Sequence, residues 1–329
     1  MLKKEMKASL GYIGSKKRLI SFLDEYISPH LTPETTFGDL FAGTGVVGEF
    51  FSHKAKQVIS NDVEYYAYVI NRALLTTTYT PEIQALLDQY NTLYPQQGMI
   101  YTEFALKRKF FTPHNAQKMD AIRIQLNQVK DQDMFYFLLA SLISSADKVA
   151  NTASVYGAYL KKYKKPALKE FVLLPIHQKT QVGLAKVYNE DVLQLQVECD
   201  ILYLDPPYNS SQYGANYSPL NVIARYEEEL QPQGKSGLIP YFKSPFCSKT
   251  KARESFQNLF ERIRAKRVFL SYSSEGLVGL DDMVELLSAF GEVVVHQRPH
   301  KKYQAREQEE REEIMEYLFE VYLEKPTPR

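Results

Sequence analysis

Thr36-Phe37-Gly38-Asp39-Leu40-Phe41, followed by Ala42-Gly43-Thr44-Gly45-Val46-Val47-Gly48, is the stretch that decides the fold. Its first six residues read as a short buried strand, and the glycines after them can turn the backbone tightly, so a helix through Phe51 should follow. Residues 57–60 predict a second strand ending at Asn61-Asp62. Residues 67–75 regain helical periodicity, as 17–27 do upstream. Strand, glycine turn, helix, strand and helix in that order begin an α/β fold built on a parallel sheet. Strand signals resume at 184–188, 201–204, 267–271 and 292–296, with a final run at 317–322. The last two strands predict an antiparallel edge pair, and the charged residues 306–313 between them an exposed loop.

Between 79 and 168 the pattern changes. The residues are mostly of helical type, with an apolar stripe through Met119, Ile122, Leu126 and Val129 and a denser block at 134–143. The loss of strand-turn-helix alternation marks 79–168 as an insertion, leaving 1–78 and 169–329 as the α/β domain. Within it, 151–165 is rich in Tyr, Gly and Lys and predicts a surface loop or hairpin.

The chain has 329 residues, 44% of them hydrophobic, which is enough for one large domain with an insertion. No apolar run approaches the roughly 20 residues that span a bilayer, and the N-terminus lacks the apolar core of a signal peptide, so a cytoplasmic location is expected. Cys199 and Cys247 have no metal-ligand spacing, and neither a disulfide framework nor a metal site is expected. The net charge of +1 gives no global case for a polyanionic partner. Local clusters at 16–18, 107–109, 161–165, 249–253 and 301–302 are ordinary solvated faces one by one. Jointly they fit a phosphate-lined cleft.

Gly43 to Gly48 formally matches G-x-G-x-x-G, which alone is a weak signal because such turns hold several adenosine cofactors. Asp62 lies 17 residues past Gly45, where a carboxylate can accept from ribose hydroxyls. Asp39, four residues before Gly43, separates the readings. A carboxylate there repels a dinucleotide pyrophosphate and attracts the sulfonium and amino group of S-adenosylmethionine. Downstream, Asp205-Pro206-Pro207-Tyr208 ends the apolar run Ile201-Leu202-Tyr203-Leu204. Two prolines leave carbonyls with fixed directions and no local donor. Asp205 and the Pro206 carbonyl can accept the two hydrogens of a planar exocyclic amine, and the Tyr208 ring can stack on the base that carries it.

The order Gly11-Tyr12-Ile13-Gly14-Ser15-Lys16, then the Phe-x-Gly-x-Gly turn, then Asp-Pro-Pro-Tyr resembles the DNA adenine-N6 methyltransferases of the alpha type, the Dam-like or D12 class found in restriction-modification systems. The resemblance implies an α/β, Rossmann-like S-adenosylmethionine-dependent methyltransferase fold, mostly parallel with an antiparallel edge strand, plus a mainly helical inserted target-recognition domain. It implies cofactor contacts from Tyr12, Gly14, Lys16, Asp39, Phe41, Gly43, Gly45, Asp62, Asp191 and Asp205. Catalysis falls to Asp205, Pro206, Pro207 and Tyr208, and DNA contacts to Lys161, Lys162, Lys164 and Lys165. The expected substrate is adenine N6 flipped out of double-stranded DNA, the expected cofactor S-adenosyl-L-methionine with no metal. A cognate restriction endonuclease is an expected partner, and a monomer or weak dimer the expected state.

Other readings remain at this stage. A cytosine-N4 enzyme uses similar amine chemistry but usually begins the tetrapeptide with Ser. RNA and protein amide methyltransferases share the cofactor fold, the latter typically with Asn at the place of Asp205. A nicotinamide-dependent oxidoreductase accounts for the glycines but has no use for Asp205 to Tyr208.

Overall fold

The computed structural model describes residues 10–11, 14–153, 155–176, 183–301 and 313–323; Tyr12 and most of the loop expected at 306–313 lie outside them. A 3-10 turn at Lys16–Arg18 leads into α1 (Ile20–Ile27), β1 (Thr36–Asp39), α2 (Val46–Phe51), β2 (Gln57–Asn61) and α3 (Tyr65–Thr76), the alternation expected from sequence. Next come α4 (Pro81–Asn91), a π-helical turn (Tyr101–Leu106), α5 (Pro113–Leu126) and α6 (Gln132–Lys148). Each of the three α-helices starts at a local signal. Thr80, Thr112 and Asp131 accept from the backbone N–H three residues on, and Pro81 and Pro113 occupy first-turn positions that need no donor.

The chain continues through β3 (Leu184–Tyr188), β4 (Ile201–Leu204), α7 (Tyr213–Asn216), α8 (Ser218–Arg225), α9 (Ala252–Arg262), β5 (Arg267–Ser273), α10 (Leu280–Ser288), β6 (Gly291–Lys301) and β7 (Glu313–Leu323). The seven strands form one sheet in the order β3-β2-β1-β4-β5-β7-β6. The first five are mutually parallel, while β7 runs antiparallel between β5 and β6. The expected antiparallel edge pair is therefore present. Strand order reverses between β1 and β4, the point at which a crevice opens beyond the carboxyl ends of an α/β sheet.

Side chains alternate between two faces of this sheet. Phe37, Ile201, Tyr203, Phe269 and Leu318 pack against Phe22, Leu23, Ile27, Val47 and Phe51 on one side. Leu40, Ile59, Leu202, Leu204, Val268, Leu270 and Phe319 pack against Phe256, Leu259, Met283 and Leu287 on the other. Toward the strand ends the first face turns polar. Asp39 follows Phe37 by two, Asp205 follows Tyr203 by two, Ser271 and Ser273 follow Phe269, and Glu316 precedes Leu318 in the antiparallel strand.

The described residues fall into two compact units, one from 1–14, 64–182 and 213–241, the other from 15–63, 183–212 and 242–329. The sequence boundaries at 78/79 and 168/169 thus differ from the compact units, which divide at 63/64 and 182/183 and add 213–241 to the helical one. The reason is packing: α3 buries Ala67, Val69, Ile70, Ala73 and Leu74 and lies against α6 and α8. A linear pattern cannot reveal that preference. The sheet unit holds all seven strands. No helix among the described residues is long and apolar enough to cross a membrane.

Phe269 is fully buried in the first layer. Phe269→Ala is expected to cost about 3–5 kcal/mol of stability, read as a lower urea midpoint with little change in slope.

Candidate active site

The turn after β1 is set by backbone chemistry. Gly43 and Gly45 have φ of 52° and 75°, left-handed values that favour glycine, and the Gly45 N–H closes the turn on the Ala42 carbonyl at 2.8 Å. The Asp62 carboxylate accepts from the Gly43 N–H at 2.7 Å, so the acid at the end of β2 holds the turn at the end of β1. Asn61 completes the junction. Its amide donates to the carbonyls of Leu40 (3.2 Å) and Glu190 (3.1 Å), its oxygen accepts from the Glu190 N–H, and its own carbonyl accepts from Ala42. Asn61 was not singled out by the sequence reading. A buried polar residue at a strand end was the available signal.

Asp191 lies in the turn after β3, where its side chain accepts from the Leu193 N–H at 3.0 Å. Neighbouring Asn189 donates to the carbonyls of Asp62 and Val63, which draws this turn to the end of β2. Phe41 packs edge-on against Phe246, 5.4 Å between centroids. Gly14 has φ of 75°.

Asp39 is almost fully buried, with one carboxylate oxygen accepting from the Gly48 N–H at 3.1 Å and the other without a partner. Burial first, then the nearby negative charges of Asp205 and Asp62, push its pKa up to about 8 against the Gly48 hydrogen bond. Lys16, also buried, ion-pairs with Asp205 at 2.8 Å. Burial pulls the Lys16 pKa down, but Asp205, then Glu316 and Tyr208, more than reverse it, so the ammonium stays charged. Asp205 in turn is raised by burial and held back by Lys16. The Tyr208 ring meets Tyr272 edge-on at 6.1 Å and has the Lys16 ammonium 5.9 Å from its centroid, while its carbonyl accepts from the Leu277 N–H. Pro206 is buried and Pro207 half-buried, with no cis peptide in the corner.

The sheet unit therefore brings together Lys16, Asp39, Asp62, Asp205 and Tyr208, with the Asp191 turn beside Asp62. It adds Glu316, which the sequence reading missed because it began the final strand at 317, whereas β7 begins at Glu313. In the helical unit, Lys161, Lys162 and Lys165 are exposed. Lys164 is half-buried and donates to the Thr152 carbonyl at 2.6 Å, so it braces its loop rather than standing free. Asn151 pins the same loop through Lys109, Leu160 and Lys164, and the described residues of 151–164 contain no strand.

A polar sheet face bearing Lys16, Asp39 and Asp205 beside the reversal of an α/β sheet, ended by an Asp-Pro-Pro-Tyr corner, fits a methyltransferase acting on a base amine. The chain belongs to the D12 class N6 adenine-specific DNA methyltransferase family, whose model matches residues 12–285. It is 42% identical to the Type II methyltransferase M.NlaIII of Neisseria lactamica over 326 residues, covering 94% of this chain and 97% of that one. It is 40% identical to M.CviAII of Paramecium bursaria Chlorella virus 1, covering 96% and 99%. M.FokI of Planomicrobium okeanokoites is 34% identical, with 96% of this chain aligned to 53% of that protein.

The family implies S-adenosylmethionine, and the residues present fit it. A buried carboxylate oxygen with no partner, on Asp39, is the complement a cationic sulfonium or ammonium requires and a pyrophosphate does not.

Asp39 holds its proton to about 8 when folded, against 3.8 when free, so folded stability falls as pH rises between those values. Asp39→Asn removes the penalty. Its melting temperature, measured without cofactor, should gain on wild type progressively from about pH 4 to pH 8, and an unchanging difference would count against an uncompensated charge at this position.

Proposed function

We propose that this site-specific adenine-N6 DNA methyltransferase works through the corner formed by Lys16 and Asp205. The observation that carries the reading is the 2.8 Å ion pair on the sheet face that also bears Asp39. S-adenosylmethionine, when bound, supplies an electrophilic methyl group. The Asp205 carboxylate and the Pro206 carbonyl accept the two N6 hydrogens and draw the nitrogen out of conjugation, so that its lone pair is available and the positive charge it acquires is stabilised. Holding nucleophile and methyl at contact distance supplies much of the rate. No strong base is needed, since the N6 proton becomes acidic only once the nitrogen is alkylated. Tyr208, braced by Tyr272, stacks on the flipped adenine and offsets part of the few kcal/mol of unpairing.

Toward the cofactor, Asp39 faces the cationic end, Asp62 and the glycines at 43 and 45 hold the ribose side, and Asp191 meets the adenine, with Gly14, Phe41 and Tyr12 completing the family's set. The helical unit reads the DNA target in double-stranded form, with Lys161, Lys162 and Lys165 on phosphates. Relatives named Type II methyltransferases support a modification role in a restriction-modification system, with a cognate endonuclease encoded nearby. The enzyme acts in the cytoplasm as a monomer or weak dimer and uses no metal.

Asp205→Ala should lower single-turnover methylation by at least about 10³-fold while calorimetric binding of S-adenosylmethionine largely persists; retained activity would sink the assignment. Changing Lys161, Lys162 and Lys165 together to Ala should reduce the slope of log affinity against log salt by about 2–3 for a cognate duplex. An unchanged slope removes this loop from the phosphate contacts. Sequencing DNA modified by the enzyme gives the methylated atom and the target sequence together.

A further inference from the structure

Asp205 and Lys16 cancel at 2.8 Å, which weakens Asp205 as an acceptor when N6 turns positive. Glu316 stands on the same face, one row beyond Asp205: Leu204 pairs with Leu270, and Ser273, three residues on in β5, pairs with Glu316. It is buried, and one of its carboxylate oxygens has no hydrogen-bond partner. The described cation acting on it is Lys16, on whose ammonium it ranks second only to Asp205 among charged neighbours.

We propose that Glu316 is an electrostatic positioning residue for methyl transfer, sharing the Lys16 ammonium with Asp205 so that the three groups together keep one net negative charge at the attacking nitrogen. The inference rests on the reading of Asp205 as the N6 acceptor. It follows from the register of β7, because only the antiparallel strand places an acid beyond Leu318 at this edge of the crevice. Among the described residues, charged and titratable groups face Glu316 from several elements. From the Lys16 turn comes the ammonium, from the end of β4 Asp205 and Tyr208, and from the loop after β5 Glu275. Tyr203 lies on the same face below. From β6 the cross-strand partner is Arg298, whose guanidinium donates to Ser21 Oγ at 3.3 Å and lies over the Phe22 ring. Among the described residues, Lys16 is thus the cation whose attraction Glu316 feels.

Burial first, then Asp205 and Glu275, raise the Glu316 pKa to about 7, with Lys16 opposing. The net charge that the reaction uses is therefore present above about pH 7 and lost below it.

Glu316→Gln keeps the shape and deletes the charge. Single-turnover methylation by the full-length enzyme should fall about 10- to 100-fold at pH 8, with the KM for DNA and for cofactor unchanged. The wild-type rate should drop as pH falls through about 7, and that limb should be missing in the variant. Glu316→Asp, which keeps the charge, should restore most of the rate and the limb. Without cofactor or DNA, the melting temperature of Glu316→Gln should gain a few degrees on wild type between about pH 5 and pH 8, because folding no longer holds a carboxylate against its preferred ionisation.

Wild-type rate and pH profile in Glu316→Gln overturn the proposal, as does a Glu316→Asp enzyme as slow as the Gln variant. A flat difference in melting temperature also counts against it and requires no active enzyme. Activity in Asp205→Ala overturns the parent reading instead, so the two failures are told apart.

Discussion

The buried pair of Lys16 and Asp205 is the interaction on which the site depends. Taking both charges out of water costs several kcal/mol per ion, and such pairs often stabilise less than well-packed apolar residues. The compensation here is organisation. Lys16 comes from a 3-10 turn ahead of α1, whose apolar residues seat it on the first sheet layer, and Asp205 extends the buried strand β4. The core that packs Phe22, Leu23 and Ile27 against Phe37, Tyr203 and Phe269 therefore also fixes where the ammonium meets the carboxylate.

Period-two alternation then settles which groups share that environment. Once Phe37, Tyr203, Phe269 and Leu318 face α1, the residues one step further along each strand lie on the same side at its polar end, and these are Asp39, Asp205, Ser271 and Glu316. Several carboxylates around one ammonium make a region of net negative potential. Burial first, and then this potential, raise the pKa of Asp39 and Glu316, and the same potential agrees with the proposed cationic donor and an amine that becomes cationic during reaction. The electrostatic strain is a property of the fold. It is held in place by the surrounding apolar layers.

Much of the site was legible in the sequence because its motifs are local. Glycines at 43 and 45 are required by positive φ, prolines at 206 and 207 fix their own corner, and Asp62 follows its strand directly. Asp62 proved to hold the Gly43 amide, a structural duty compatible with the ribose role expected of it. Lost alternation suggested an insertion at 79–168, whereas the compact units divide at 63/64 and 182/183, since α3 reads as part of a βαβα series and packs instead with α6 and α8. Lys164 could not be distinguished from its neighbours until the Thr152 carbonyl was seen beside it.

By itself the sequence determined the strand-turn-helix start, the glycine turn, the Asp-Pro-Pro-Tyr corner and the family, because backbone restrictions and short motifs act within a few residues. Only the tertiary structure decided that Asn61 latches three strand ends, that α3 belongs with the helical unit, and that Glu316 joins Lys16 and Asp205. Glu316 lies 111 positions beyond Asp205 in a strand of opposite direction. Their meeting is set by hydrogen-bond register across β5, and the charges are felt there because the packed layers exclude water, neither of which a linear pattern encodes.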